Sequence, residues 1–333
     1  MAFQLHDLQQ TLTLAAAQPP DRVRAQLSTD HALEHLIGAH GKTFALATRF
    51  LPIAQRRATI TLYAFFRTLD DLIDERPEDA PTAPILLEIA TWRDWLQRPG
   101  SERAPREPLG TQLAEVLEQY AIPTSYFLDF LDGMVADLPK RRLTHFEELR
   151  QYCYQVASTV GLAMSHVLGA TSRQALAAAE NLGIAMQLTN ILRDVGGDLA
   201  RDRIYLPNTE LERFGLSHAH LTTLAARGGL PDERFRRLLQ FQIARAHSYY
   251  RSGMSGIWLL SPDCRLPILL ASRLYRKILR VIERNGYDVL RRRAVTSPME
   301  KLTEMGIALI LNRLWRSGEH QQRSYNTFKE AGG

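Results

Sequence analysis

The sequence predicts an all-α fold, on three observations. Apolar residues recur at helical spacing over long segments, as at Ile60, Leu62, Tyr63, Phe66 and Leu69, and again at Leu182, Ile184, Met186, Leu188 and Ile191. Alternating, turn-bounded strand patterns are scarce. Pro and Gly fall between the periodic segments, near Pro77–Pro84, Pro99–Gly110, Pro123, Pro139, Pro207, Gly228–Pro231 and Pro262–Pro267. This punctuation marks off ten or more helices.

The helices differ in length and share no period, and no Gly/Ser-rich linker divides the 333 residues. One domain, residues 1–333, built as a helical bundle around a central cavity, is the expected architecture. Hydrophobic residues make up 45% and charged residues 23%, which excludes disorder and a fibrous repeat. Glu75 to Pro84 and Gln97 to Gly110 read as surface connections.

Cys153 and Cys264 are the only cysteines, too few for a disulfide framework and not spaced as a zinc site, so a reducing, cytoplasmic setting is expected. The opening MAFQLHDLQQ has no basic region followed by an apolar run, and so does not read as a signal peptide. The apolar stretch Ile307 to Trp315 is about half of what a spanning helix needs, since that takes roughly 20 residues. The net charge is +5. Basic runs at Lys140–Arg142 and Arg291–Arg293 read as solvated faces, and without exposed interleaved aromatics they make no case for nucleic acid.

Chemistry enters with two carboxylate pairs. In TLYAFFRTLDDLIDE, Asp70 and Asp74 lie four apart, so on a helix both project from one face, while Asp71 falls on another. QLTNILRDVGGDLARDRIYLP repeats the spacing with Asp194 and Asp198 and sets Asn190 one turn earlier on the same stripe. Like charges at this spacing weaken an isolated helix unless a cation neutralises them. Mg²⁺ takes oxygen ligands and bridges one or two carboxylates to substrate phosphates, so the pairs point to a diphosphate substrate. A lone pair of this kind is ordinarily a solvated helix face. Two copies, each in a strongly apolar helix and each beside an arginine, Arg67 and Arg193, favour the metal.

YAFFRTLDDLID and NILRDVGGDLARDRIYLP resemble the two signature regions of the phytoene/squalene synthase family. In the second, Asn190, Arg193, Asp194, Asp198, Arg203, Tyr205 and Pro207 fall at the family's spacing. The resemblance runs from about His40 to about Arg293 and takes in HGKTF, YCYQVASTVG and YRKILRVIERNGYDV. Thr43 stands where the family usually has Ser, and it keeps the hydroxyl.

The resemblance implies an isoprenoid synthase bundle and a Mg²⁺-dependent prenyltransferase, with Mn²⁺ as a second candidate ion. Asp70, Asp74, Asn190, Asp194 and Asp198 would hold the metal; Asp70, Asp74, Asp194, Asp198 and Arg67 would be catalytic. Substrate contacts carried over are His40, Lys42, Thr43, Phe44, Tyr63, Arg67, Gln187, Asn190, Arg193, Arg203, Tyr205 and Tyr275. Tyr152, Ala157, Val160 and Gly161 would line the prenyl channel, together with Phe66, Val156 and Met164. Each aromatic here has ordinary core packing as its competing role. Ala157 and Gly161, one helical turn apart, allow either close helix packing or room for a flat chain.

The implied reaction joins two allylic isoprenoid diphosphates head to head through a cyclopropylcarbinyl diphosphate. Two geranylgeranyl diphosphates giving phytoene is the expectation, on the likeness of DRIYLP and IERNGYDV to bacterial carotenoid enzymes. The alternative is squalene, dehydrosqualene or presqualene diphosphate formation from farnesyl diphosphate. No Gly-rich dinucleotide fingerprint is present, so NADPH is not expected. A terpene cyclase and a catalytically silent assembly protein are the rivals of other classes; the YCYQVASTVG segment argues against the first and the intact Asp pairs against the second. Peripheral contact with a membrane is a further expectation, because such a product is insoluble in water.

Overall fold

A computed structural model of the chain describes residues 46–77, 80–100, 104–138, 141–227 and 230–331. His40, Lys42, Thr43 and Phe44 lie outside them. Helices dominate, as expected, and among the described residues the only β pairing is a single parallel bridge between Arg142 and Ile204. Contacts divide the chain into two compact units, Met1–Leu138 and Pro139–Gly333.

The first unit contains α1 (Ile53–Asp74), α2 (Ala83–Gln97), α3 (Leu109–Gln119) and α4 (Ser125–Asp137). Its core is aromatic. Phe65 of α1 meets Trp92 of α2 edge-on at 5.0 Å and Phe127 of α4 at 5.3 Å, and Phe66 stacks on Phe127 at 5.3 Å and meets Phe130 at 4.8 Å. Pairs of this geometry contribute ~1 kcal/mol each beyond the area they bury. Phe66, a channel candidate, takes part in this packing and is 4% exposed.

The second unit contains α5 (Phe146–Cys153), a π-helical turn (Tyr154–Ser158), α6 (Thr159–Val167), α7 (Arg173–Ala200), α8 (Asn208–Arg213), α9 (His218–Arg227), α10 (Glu233–Met254), α11 (Arg265–Arg284) and α12 (Pro298–Ala331). Helix starts follow capping rules. The Ser172 hydroxyl accepts from the Ala175 amide and the Asp232 carboxylate from the Phe235 amide, opening α7 and α10. The long α7 is central, with α6, the π turn, α10 and α11 packed against it. A Cβ on Gly183 would lie 2.5 Å from the Ser158 backbone, so glycine there is what admits the π turn so closely.

Buried Leu182, Ile184, Leu188, Ile191 and Leu192 give α7 its apolar side. Glu210 and Arg245, joined at 2.5 Å, tie α8 to α10, while the guanidinium lies 3.7 Å from the centre of the Phe146 ring. Removing either partner would leave the other poorly compensated in a low-dielectric surround.

Candidate active site

The first acidic stripe lies on α1, on the side away from Phe65. Arg67 donates to Asp70 at 3.1 Å and also pairs with Asp71, so the residue that helical geometry assigns to another face shares the same arginine. Burial and then the Asp74 carboxylate push the Asp70 carboxyl up to about 7; Arg67 opposes them, and Asp71 and Asp137 add to the rise. Because 40% of the Asp70 side chain remains accessible, the neighbouring carboxylates are the firmer part of that cause. Asp137, on α4 and 6% exposed, has no spacing relation to the first motif, so only the fold brings it near Asp70. Tyr63, one turn before Arg67, adds to the field that raises the Arg67 guanidinium.

The second stripe lies on α7. Gln187, Asn190, Asp194 and Asp198 step along it by three, four and four residues. Asn190 donates its amide N–H to Gln187 Oε1 at 3.2 Å, and its own carbonyl oxygen is buried without a hydrogen-bond donor. Asp194 is gripped by two guanidinium forks. Arg193 donates at 3.0 and 2.6 Å, and Arg293 at 2.7 and 3.2 Å. Burial would raise the Asp194 carboxyl, but these bonds outweigh it and hold the group below its ordinary value.

Arg293 belongs to a basic run expected to be a solvated face; its three arginines are exposed, and two of them also hold carboxylates. Arg293 pairs with Asp194 and Arg291 with Asp288. Gly196 makes this approach possible. Its amide donates to Val289 O at 3.2 Å, and a Cβ there would lie 2.2 Å from the Leu290 carbonyl oxygen. Gly197 beside it has nothing within 4 Å of the same construction, so only one glycine of the pair is required by packing. Two residues of the other basic run are also engaged, for Arg142 grips Asp202 at 2.5 Å and Arg141 lies 4.8 Å from the Tyr152 ring centre.

Tyr152 and Tyr205 stack at 4.9 Å and 13°, both under 10% exposed, which brings YCYQVASTVG and DRIYLP together. Arg203 donates its amide to the Asp198 carbonyl, tying this segment to the end of α7. Tyr275 stands on α11, where its field reaches Arg293 and the buried Tyr250, itself bonded to Thr189 of α7 at 3.0 Å. Ala157 sits inside the π turn, and Val160 and Gly161 follow in α6, all three partly buried. A Cβ on Gly161 would make an ordinary 3.4 Å contact, so close packing is not its purpose.

The stripes suit Mg²⁺ by their chemistry. Carboxylates crowd Asp70, and a buried amide oxygen at Asn190 has no donor; both are relieved by a hard cation. Among the described residues no three His, Cys, Asp or Glu side chains converge as a closed cage, and the arrangement is one open carboxylate pair per helix.

Comparison with known proteins places these features. A dehydrosqualene synthase crystal structure is similar at TM-score 0.74 and 27% identity, over 85% of this chain and 96% of that one. A squalene synthase of Alicyclobacillus acidocaldarius is similar at TM-score 0.68 and 26% identity, over 79% of this chain and 96% of that one. The fold is thus of the isoprenoid synthase type, and the class is an all-α prenyltransferase. Residues 37–300 match the squalene/phytoene synthase family, and a 15-cis-phytoene synthase of Synechococcus elongatus is 38% identical over 87% of this chain and 96% of its own length. The chain belongs to the squalene/phytoene synthase family.

Proposed function

We propose that this prenyltransferase joins two molecules of geranylgeranyl diphosphate head to head, through a cyclopropylcarbinyl diphosphate, to give phytoene. The observation that carries the reading is the 38% identity to a phytoene synthase across 96% of that protein. We read the chain as one isoprenoid synthase domain, because the family match at 37–300 runs through both compact units.

Loss of diphosphate from one allylic substrate puts negative charge on the leaving group and a delocalised cation on the carbon chain. Asp70, Asp74, Asn190, Asp194 and Asp198 are the residues that would hold Mg²⁺, or Mn²⁺ in its place. When bound, the metal supplies Lewis acidity and a template for the departing oxygens. Arg67 and Arg193 offer planar forks of donors to phosphate oxygens, with Tyr63, Gln187, Arg203, Tyr275 and the His40–Phe44 segment as further contacts. Those arginines are held in place by Asp70, Asp71 and Asp194, so they are oriented before substrate arrives.

The cation must be kept from water, which would quench it. Tyr152 and Tyr205 brace each other, and Arg141 engages the Tyr152 ring, so the pair serves as a rigid wall, with Ala157, Val160 and Gly161 continuing it. The reading includes no NADPH step. The cytosol is its setting, with buried, unpaired Cys153 and Cys264 suited to a reducing compartment. Among the described residues no helix is long and apolar enough to cross a membrane, so membrane contact would be peripheral.

A second reading, condensation of farnesyl diphosphate, is favoured by the structural likeness to dehydrosqualene and squalene synthases. The test incubates the protein and Mg²⁺ with each diphosphate in turn, with and without NADPH, and identifies the extracted hydrocarbon by mass. Phytoene from geranylgeranyl diphosphate is expected. A thirty-carbon product from farnesyl diphosphate alone would move the assignment to the second reading, and no product from either would overturn both.

A further inference from the structure

Helices α10 and α11 gather positive charge where they meet. His247 and Arg251 stand one turn apart on α10, and Arg276 and Arg280 one turn apart on α11. Arg276 donates its Nε–H to His247 Nδ1 at 3.3 Å, and the fields of Arg276, Arg280 and Arg251 all act on His247. Other cations of α11 are matched by acids of α12. Arg273 pairs with Glu304 at 2.6 Å and Arg284 with Glu300 at 2.8 Å.

Among the described residues no carboxylate pairs with His247, Arg251, Arg276 or Arg280, and Glu283, three residues past Arg280, makes no ion pair with it. Arg276 and His247 are half-buried, while Arg251 and Arg280 are exposed. A guanidinium can only donate, so His247 Nδ1 accepts and its Nε2 carries the ring proton. With that acceptor used, the four side chains face the groove with donors alone. The charge is unmet. Burial and then Arg280, Arg251 and Arg273 lower the Arg276 guanidinium, and burial and then Arg276, Arg280 and Arg251 push the His247 imidazole down to about 4.

We propose that His247, Arg251, Arg276 and Arg280 form an oxyanion site in the groove between α10 and α11, separate from the reacting centre, that takes a phosphate or diphosphate ion. Planar guanidinium forks and an imidazole N–H match the oxygens of such an ion, and the arginines balance its charge. None of the four residues belongs to either acidic stripe or to the substrate contacts. Tyr275 precedes Arg276 in α11 but projects about 100° round the helix from it. Free phosphate and the diphosphate that prenyl transfer releases share this chemistry. The inference is independent of which prenyl chain the enzyme takes, and its test needs no turnover.

The full chain, free of divalent ions, is titrated with inorganic phosphate or diphosphate at constant ionic strength. NMR follows the His247 ring, assigned by the signal that His247→Asn removes. An anion among the arginines favours the imidazolium, so diphosphate should raise the His247 midpoint from about 4 by about one pH unit or more, roughly a tenfold coupling. Phosphate should act in the same direction, more weakly. Calorimetry at pH 7 reads the affinity itself. There Arg251→Gln/Arg280→Gln should weaken diphosphate binding about tenfold or more, without lowering the melting temperature. Arg193→Gln, in the active site, should leave the His247 response intact. A His247 signal that ignores both ions, follows chloride equally, persists in the double variant or vanishes in Arg193→Gln would overturn the proposal. A response to an acidic peptide but to neither ion would overturn it in favour of a protein partner.

Discussion

The two acidic stripes share one spacing and sit in opposite electrostatic settings. On α1, Asp70 has Asp71, Asp74 and Asp137 raising its carboxyl and Arg67 opposing them, and the group is pushed up to about 7. On α7, Asp194 sits between Arg193 and Arg293 and is held below its ordinary value. The difference teaches that a repeated motif fixes which groups share a helix face, while the charge each feels comes from what the fold packs beside it. The first stripe stands short of positive charge and the second is already neutralised, so a cation relieves strain at one and must share its ligand with arginine at the other.

The comparison can be broken most sharply at the chemistry. Asp70→Ala and Asp194→Ala should each lower turnover by a factor of about 10³ or more, as loss of preorganised charge stabilisation does, without unfolding the protein. Product assays with circular dichroism on the same samples check this, and undiminished turnover in either variant would remove that stripe from the site. Next in size is Gly196→Ala, whose methyl group would collide with the Leu290 backbone. It should cost about 3 kcal/mol in denaturant unfolding and loosen the Arg293 grip on Asp194.

Stability separates the stripes by sign. Asp70→Asn removes one of several crowded carboxylates and should raise the melting temperature of the metal-free protein, whereas Asp194→Asn leaves two arginines under-compensated and should lower stability by about 1–2 kcal/mol. Shifts of the same sign in both variants would mean that the contrast in charge does not govern folding. The smallest effect lies away from both stripes. Arg284 and Ser297 hold Glu300 down at about 2 against an ordinary 4.5. That stabilisation is complete above pH 4.5 and is lost as pH falls through 2, and Glu300→Gln should flatten this part of the acid-melting curve.

Much of this was legible in the sequence because it is local. Apolar periodicity at Ile60–Leu69 and Leu182–Ile191 foretold α1 and α7, and four-residue spacing put Asp70 with Asp74 and Asp194 with Asp198 on single faces. What escaped is long-range. Arg293 lies 99 residues from Asp194 and reaches it because Gly196 admits the 289–293 segment, so its run looked like an ordinary solvated face. Asp137 joins Asp70 through the aromatic packing of α4 on α1, and Phe66 proved part of that packing. His40–Phe44 lies outside the described residues.

The π turn at Tyr154–Ser158 has a consequence for how this chain tolerates change. A π turn absorbs one residue more than α-helical spacing does, and each residue advances a helix by about 100°. Deleting a single residue there would restore regular α geometry without breaking the helix. It would leave Val160, Gly161 and Met164 near their present phase relative to Tyr152, whereas inserting one more residue would swing them by about 100°. The segment is therefore tolerant in one direction only: it can shed a residue and keep its aim, but a further insertion re-aims everything downstream in α6.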